Sequence, residues 1–284
     1  MKFGASMFFT DYSITPAQMA TAMEERGFDT LWAPEHSHIP VSRKTPFVLG
    51  GDLPKRYYDV MDPFVTLSVA AAVTRTLRLG TGVCLVAQRD PIQLAKLVAS
   101  IDQVSNGRFL FGIGNGWNQD EMENHGTVFA TRHKLARERI EAMKEIWTKS
   151  KAEYHGEFVN FDPVMAWPKP VQKPFPPILV GGAFPYSARR AIRYADGWMP
   201  QVTNAKAAPL TDVIPRFRQM AEEAGRDPAS LTIIIGAQPP DRGLIERYAA
   251  LGVEMVYPSL PSEPADKILP MLDQWAALKQ RMQA

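Results

Sequence analysis

The stretch GFDTLWAPEH occupies residues 27–36 and contains the unit from which the rest of the chain is built. Gly27 stands at the end of a helical pattern that starts at Thr15 with a capping residue and a proline, and a residue that tolerates positive φ is favoured at such an end. A short apolar run follows at once, and Glu35 and His36 come where it ends. The stretch predicts a helix, a tight turn and a short strand with polar side chains at its carboxyl end.

The same unit recurs along the whole chain. Segments with apolar residues at helical spacing alternate with short apolar runs, several of which are typical of parallel strands buried on both faces. Gly197 and Gly252 repeat the helix-ending glycine. Eight strand–helix units in 284 residues predict an α/β fold, a single (β/α)₈ TIM barrel over residues 1–284, with a doubly wound open sheet as the alternative. The predicted strands are residues 3–9, 28–33, 77–83, 108–114, 178–181, 197–201, 231–235 and 253–257.

Two long connections interrupt the repeat. The extended loop 37–61, after the second strand, contains several apolar residues and is expected to be a mobile lid over the barrel mouth. Seven of the 24 prolines lie within residues 163–185, before or just after the fifth strand. Because proline fixes φ, this proline-rich stretch predicts a stiff surface excursion rather than disorder or a linker.

Composition narrows the class of function. The 32 basic and 30 acidic residues leave a formal charge of +2, which argues against a nucleic-acid partner. No apolar run approaches the ~20 residues of a membrane span, and the first residues show no signal-peptide pattern. The single cysteine, Cys84, cannot form an internal disulfide, so a cytoplasmic location is expected. We therefore expect a small-molecule partner, and neither a nucleic acid nor a membrane.

In a barrel of this type, chemistry lies on the loops after the carboxyl ends of the strands. Here those segments are residues 34–62, 84–90, 114–130, 181–187 and 200–209.

Glu35 and His36 are the first candidates for chemistry. A carboxylate and an imidazole at a strand end can transfer protons near neutral pH, although the histidine could instead satisfy a backbone carbonyl. The His36–His38 pair also suggests a metal, but the last histidine of the chain is His155 and the eighth strand ends without a carboxylate. We therefore expect no metal site.

Glycines mark two further strand ends. GIGNGW, residues 112–117, lacks the spacing of a dinucleotide fingerprint, so it indicates either close approach of the backbone to a flat ligand or a tight turn. VGGA, residues 180–183, opens a helix, where free N–H groups could hold a cofactor phosphate; a Gly-Gly turn without a ligand is the alternative. Cys84 lies between Val83 and Leu85, which favours a buried small hydrophobe over a nucleophile.

Taken in order, these segments resemble the luciferase-like flavin-dependent oxidoreductases, and most closely the branch that uses the deazaflavin coenzyme F420. The resemblance covers almost the whole chain. It is carried by residues 27–36, 58–59 with 62–64, 79–83, 102 with 105–108, 112–117, 176–178 with 181–182, and 196–198.

The resemblance implies a cofactor ring in the barrel mouth. The ring would lean on a bulge at the end of the third strand, often with a non-proline cis peptide, for which Gly82-Val83 is the matching position. Gly181, Gly182 and Ala183 would hold the cofactor phosphate. The implied cofactor-binding residues are Thr81, Gly82, Val83, Gly114, Asn115, Gly116, Trp117, Gly181, Gly182 and Ala183.

The implied reaction is hydride transfer between F420 and an organic substrate, with His36 as proton donor or acceptor and Glu35 orienting it. Trp117 stands where the sugar-phosphate dehydrogenases of this family have an acidic residue, which suggests an apolar or aromatic substrate. Two other functions stay open: an FMN-dependent monooxygenase, which uses reduced flavin and oxygen, and a non-catalytic flavin-binding protein.

Two further expectations concern charge and assembly. Arg43, Lys44, Lys55 and Arg56 on the 37–61 loop could contact the acidic tail of the deazaflavin, or they could be solvated surface charges. Members of the resembled family commonly dimerise through helices of the first half, here about residues 63–74 and 91–105, so a homodimer is expected.

Overall fold

The computed structural model describes residues 1–201 and 208–283. Its strands are β1 (Lys2–Met7), β2 (Thr30–Ala33), β3 (Arg78–Thr81), β4 (Cys84–Leu85), β5 (Phe109–Gly114), β6 (Ala152–His155), β7 (Asn160–Val164), β8 (Ile178–Gly182), β9 (Gly197–Pro200), β10 (Thr232–Ile235), β11 (Met255–Val256) and β12 (Ser259–Leu260). Its helices are α1 (Pro16–Glu25), α2 (Pro63–Val73), α3 (Pro91–Val104), α4 (Gln119–Asn124), α5 (Arg132–Thr148), α6 (Tyr186–Tyr194), α7 (Leu210–Glu223), α8 (Arg242–Ala250) and α9 (Ala265–Gln283).

The main sheet closes on itself. Its parallel strands pair in the order β11, β10, β9, β8, β5, β3, β2, β1, and β1 pairs again with β11. The short strands β4 and β12 continue β3 and β11 beyond small interruptions and pair with β5 and β1. The eight-stranded (β/α)₈ barrel predicted from the sequence is thereby confirmed, and the open sheet is excluded.

Local capping chemistry sets several helix starts. The Thr15 hydroxyl accepts a hydrogen bond from the N–H of Gln18 at 3.2 Å, in a capping box with Pro16 in the first turn. Asp62 caps α2 in the same way, accepting from the N–H of Phe64 at 2.8 Å. These starts agree with the sequence pattern.

The glycines at helix ends divide into two groups. Gly27 and Gly252 have φ of +71° and +74°, as expected for a glycine that follows a helix. Gly197 begins β9, as the predicted strand 197–201 indicated, but its φ is not positive and α6 ends at Tyr194, so the prediction that it ends a helix is wrong. A Cβ there would lie 2.6 Å from both the Thr232 carbonyl oxygen and a methyl of Leu179, so close packing requires glycine.

The inside of the barrel is filled by large side chains. Trp32 is fully buried and stacks on Tyr257 with ring centroids 5.7 Å apart. A Cβ on Gly80 would lie only 2.2 Å from the Trp32 ring, so this glycine makes room for the indole. Trp32 and its neighbours pack closely inside the barrel, so the interior below the mouth is filled by side chains. Cys84 is also fully buried, as predicted.

The proline-rich stretch has more structure than predicted. Its first part belongs to an antiparallel hairpin, β6–β7, whose turn is held by the Glu138 carboxylate, which accepts from the N–H of Phe158 at 2.7 Å. The second part is irregular, with cis peptides before Pro168 and Pro174. It is fixed to α3 where the N–H of Gln172 donates to Asp102 Oδ2 at 2.9 Å.

Two other features differ from the predictions, and one predicted segment is described only in part. The third predicted strand is interrupted between Thr81 and Cys84, and α4 had no counterpart among the predicted helices. Of the segment 200–209, residues 202–207 lie outside the described residues. Within the described ranges, every helix is too short or too polar to cross a lipid bilayer.

Candidate active site

A bulge between β3 and β4 forms one wall of the barrel mouth. The Gly82-Val83 peptide is cis, at the position that the resemblance indicated. A Cβ on Gly114 or Gly181 would lie 2.5 or 2.8 Å from a Val83 methyl group, so these two glycines form the notch that receives the Val83 side chain. The hydroxyl of the buried Thr81 donates to the Gly112 carbonyl at 2.7 Å, so Thr81 fastens the bulge to β5.

His36 lies beside this mouth and forms a buried pair with Glu121 of α4. The His36 Nδ1 is 2.8 Å from Glu121 Oε2, and the other Glu121 oxygen accepts from the N–H of Ser37 at 3.1 Å. A carboxylate facing Nδ1 favours the tautomer with its proton on that nitrogen. The Nε2 atom is then the one left to exchange a proton.

Glu35 has a different partner, so the prediction that it orients His36 is wrong. Its Oε1 lies 2.6 Å from Arg89 Nε, and its Oε2 accepts from the N–H of Leu85 at 2.8 Å. Arg89 also contacts Asp62, the cap of α2, at 2.5 Å. Burial alone would lower the pKa of Arg89, but the negative charges of Glu35 and Asp62 raise it. Glu35 therefore supports the bulge and the adjoining helix start.

Aromatic side chains surround the imidazole of His36. The ring of Tyr57 lies 5.3 Å from it and that of Trp117 lies 5.8 Å from it, measured between centroids. Phe47, a buried residue of the 37–61 loop, contacts both of these rings at 5.3 and 5.9 Å. The space next to His36 is thus lined by flat apolar surfaces.

The 37–61 loop is fastened to α4. The N–H of Lys44 donates to Asp120 Oδ2 at 2.8 Å, and its ammonium lies 2.8 Å from Glu123 Oε2. The N–H of Gln119 donates to the Thr45 hydroxyl at 3.2 Å. The same short helix therefore holds both the loop and His36.

The other basic residues of this loop also have partners within the protein. Lys55 pairs with Asp59 at 2.5 Å, and Arg43 donates to the Tyr58 hydroxyl at 3.2 Å. Arg56 stacks 5.7 Å from the Tyr57 ring. A contact between these four basic residues and an acidic tail would therefore compete with the contacts that they already make within the protein.

The carboxyl end of β8 has the geometry of an anion cradle. Gly182 has φ of +131°, and the Ser187 hydroxyl donates to its carbonyl at 2.7 Å. Within the described residues, the N–H groups of Ala183, Phe184 and Tyr186 donate to no other protein group. They lie at the start of α6, where the helix dipole favours negative charge.

Two arginines add positive charge beside this cradle, and a neutral histidine lies near them. Arg190 Nη2 lies 3.8 Å from the point where a Gly182 Cβ would be. Burial lowers the pKa of Arg190, and burial together with the charge of Arg190 lowers that of Arg132. Burial, followed by the charges of both arginines, lowers the pKa of His133 to about 4. The neutral His133 accepts a hydrogen bond at Nδ1 from the Asn115 amide nitrogen at 2.6 Å.

Two further residues that the sequence pointed to are Gly116 and His38. Gly116 has φ of +73°, and a Cβ there would lie 2.6 Å from the Met122 methyl group, so its glycine serves a turn against α4. His38 Nδ1 lies 2.9 Å from the Ser37 hydroxyl, and its Nε2 receives the Asn124 amide. Across the part of the chain that the structure describes, no group of three His, Cys, Asp or Glu residues could hold a metal ion.

The structure thus brings together residues that the sequence analysis did not select. Glu121 lies within residues 114–130, after the fourth predicted strand, but nothing in its local sequence distinguishes it from Asp120 or Glu123. Arg132-His133 at a helix start and Arg189-Arg190 after a Gly-Gly turn were signals that could have been used.

Comparisons with known proteins agree with this architecture. The sequence model of the luciferase-like monooxygenase family matches residues 15–239. An uncharacterised protein of Mycobacterium tuberculosis is 40% identical over 282 residues, covering 98% of each chain. An F420-dependent hydroxymycolic acid dehydrogenase of the same organism is 29% identical over 227 residues, which are 79% of this chain and 57% of that protein. The crystal structure of the monooxygenase RslO1 from Streptomyces bottropensis superposes over the full length of both chains with a TM-score of 0.81 and 22% identity, a likeness of fold.

Proposed function

The chain belongs to the luciferase-like monooxygenase family, and we propose that it is an oxidoreductase that binds a deazaflavin of the F420 type. Its substrate would be a small apolar or aromatic organic molecule bound beside His36. The observation that carries the proposal is the joint presence, around one barrel mouth, of the Gly82-Val83 bulge, the anion cradle at the start of α6 and the buried His36–Glu121 pair.

The residues present fit such a cofactor. Val83 and the glycines around it offer a smooth surface for a flat ring. Gly82, Gly114 and Gly181 have no side chains, and the Val83 side chain fills the space beside the last two. The N–H groups of Ala183, Phe184 and Tyr186 would hold its phosphate. When bound, the cofactor supplies the hydride chemistry, and the protein supplies binding, orientation and electrostatics.

His36 would move the accompanying proton through Nε2. The Glu121 carboxylate stabilises the imidazolium form and keeps the ring in one orientation, as a buried carboxylate does for other catalytic histidines. Phe47, Tyr57 and Trp117 would exclude water and pack against an apolar substrate.

The relative that is F420-dependent supports the deazaflavin, whereas the fold likeness to a monooxygenase is compatible with FMN as a second candidate. Fluorescence titration of the purified protein with F420 and with FMN tests the proposal. Tight binding of F420 with hydride exchange to a substrate is the expected result. Binding of FMN alone would favour the monooxygenase, and binding without turnover on any substrate would favour a flavin-binding protein.

We also propose that the protein is a homodimer. Helix α2 is apolar on most of its surface and exposes Val65, Val69 and Val73 on one side at a spacing of four residues. A contiguous exposed apolar stripe of this kind is typical of a protein interface, and a two-fold symmetric dimer is the commonest arrangement.

A further inference from the structure

Two arginines beside the anion cradle lack a negative partner in the part of the chain that is described. Arg190 donates no hydrogen bond and forms no ion pair there, and Arg132 donates only to the Phe129 carbonyl at 2.7 Å. Their neighbours on α5 differ, since Arg137 Nε lies 3.5 Å from a Glu141 oxygen and Arg139 is near the negative charge of Asp90. Unlike Arg137 and Arg139, Arg132 and Arg190 therefore carry positive charge that no nearby carboxylate balances within the described residues.

We infer that Arg132 and Arg190 hold negative charge that lies beyond the cofactor phosphate, namely a carboxylate of the acidic tail of the deazaflavin; this inference rests on the proposed function. After burial, both guanidinium charges act to lower the pKa of His133, and two like charges around one half-buried site are unfavourable in the ligand-free protein. An anion that binds between them relieves this repulsion, which makes the pair a specific receptor for negative charge.

Charge balance favours a tail carboxylate as the ligand of the two arginines. The phosphate of F420 is a diester and carries one negative charge, which the three free N–H groups at the start of α6 already accommodate. Two guanidinium groups are then more than the diester requires. A carboxylate close to the phosphate in the ligand supplies the missing charge, and guanidinium binds carboxylates in a planar two-bond geometry.

Two of the four basic residues on the 37–61 loop already have carboxylate partners. On the 37–61 loop, Lys44 is bound by Asp120 and Glu123, and Lys55 is bound by Asp59. A tail carboxylate would have to displace these partners, whereas it would meet no such competition at Arg190. The α5–α6 side of the mouth is therefore favoured over these two lysines.

The first test uses the ligand-free protein and inorganic pyrophosphate as the probe. The pKa of His133 is measured by NMR, with His133→Asn to assign its signal. Because burial, followed by the charges of the two arginines, lowers this pKa to about 4, a bound pyrophosphate that offsets those charges should raise it. Arg190→Gln should raise it without pyrophosphate and reduce the response, while Arg189→Gln, an exposed change on the same helix, should leave both unchanged. An unchanged His133 pKa on adding pyrophosphate would overturn the inference.

The second test separates the tail from the phosphate. Dissociation constants of F420 and FMN are measured by fluorescence for the wild type and Arg132→Gln. We expect F420 to bind about tenfold more weakly to the variant and FMN to change less than about twofold. Equal weakening of both cofactors would place the phosphate at the arginines, and no weakening would leave them without a ligand; either result overturns the inference. Failure of the wild type to bind either cofactor would contradict the proposed function, and the His133 titration would still report on the arginine pair.

Discussion

His36 Nδ1 and Glu121 Oε2 lie 2.8 Å apart in a buried pair, although 85 residues separate them in the chain. The contact joins the polar end of β2 to the short helix α4, which also holds the 37–61 loop through Lys44. The orientation of His36 and the position of the 37–61 loop therefore depend on one small element. A displacement of α4 would alter both.

Replacing Glu121 by glutamine should reduce kcat/KM by about a hundredfold, because the neutral amide no longer stabilises the imidazolium. Cofactor affinity should change little, since Glu121 does not line the cradle. The measurement is kcat/KM with F420, together with the dissociation constant of F420 for the same variant. Glu123→Gln, on the same helix but bound to Lys44, is the matched control and should keep the wild-type kcat/KM. An unaltered kcat/KM for Glu121→Gln would remove the proton role from the pair.

Replacing Glu35 by glutamine should mainly affect stability. Arg89 would keep its charge with a side chain only 21% exposed while losing its most buried carboxylate. Removing one member of a buried ion pair leaves the other uncompensated, so the free energy of unfolding should fall by about 3 kcal/mol. Urea denaturation measures this, and Arg89→Met in the Glu35→Gln background should restore part of the loss. Wild-type stability combined with a lost acid–base limb would instead return Glu35 to the proton chemistry.

The barrel could be predicted because its signals are local. The cap at Thr15, the glycine at position 27 and the apolar strand that follows all lie within a few residues of one another, and the same short-range chemistry repeats. The hairpin β6–β7 could not be predicted in this way. Its strands are mostly exposed, and its turn depends on Glu138, which belongs to the preceding helix.

In the candidate site, too, local motifs could be predicted and contacts between distant residues could not. The Gly82-Val83 bulge and the cradle at β8 have motifs in the sequence, so they could be located. The partner of His36 could not, because adjacency in the chain favours Glu35 while successive residues after a strand point in different directions. Glu35 turns towards Leu85 and Arg89, and only the docking of α4 brings Glu121 to the imidazole.

Truncating Phe47 to alanine should raise the KM for an aromatic substrate about tenfold, because Phe47 contacts both Tyr57 and Trp117, the rings beside His36 against which the proposed substrate would pack. The kcat should change less, since the His36–Glu121 pair is untouched. Steady-state kinetics with one aromatic and one short aliphatic substrate measure the effect. Leu49→Ala, an exposed change on the same loop, is the control. Equal effects on both substrates would argue against aromatic recognition.

A charge at the centre of the α2 stripe should prevent self-association. Val69→Asp would place a carboxylate between Val65 and Val73, where burial against a second copy would cost several kcal/mol. Light scattering after size-exclusion chromatography should show a dimer for the wild type and a monomer for the variant. Val128→Asp makes the same substitution at an exposed valine outside α2, and this control should remain dimeric. A wild-type monomer at micromolar concentration would contradict the proposed dimer.

Acid stability should depend on Glu24, whose carboxylate holds the turn between α2 and β3. It accepts from the N–H groups of Thr76 and Leu77 at 2.6 and 2.9 Å. Burial acts to raise the pKa of Glu24, but these backbone hydrogen bonds outweigh it and lower the pKa to about 2. The unfolded chain therefore binds the proton first as the pH falls.

The contribution of Glu24 is accordingly complete above its ordinary pKa of 4.5 and is lost as the pH falls towards 2. Glu24→Gln should be less stable than the wild type by about 1 kcal/mol at pH 7, because the neutral amide oxygen is a weaker acceptor for several N–H groups. The difference should shrink between these two pH values, since acid removes the wild-type advantage and leaves the variant unaffected at this position. Thermal unfolding followed at a series of pH values measures it, with the exposed neighbour Glu25→Gln as the control. A difference that stayed constant down to pH 2 would show that the charge of Glu24 does not stabilise the turn.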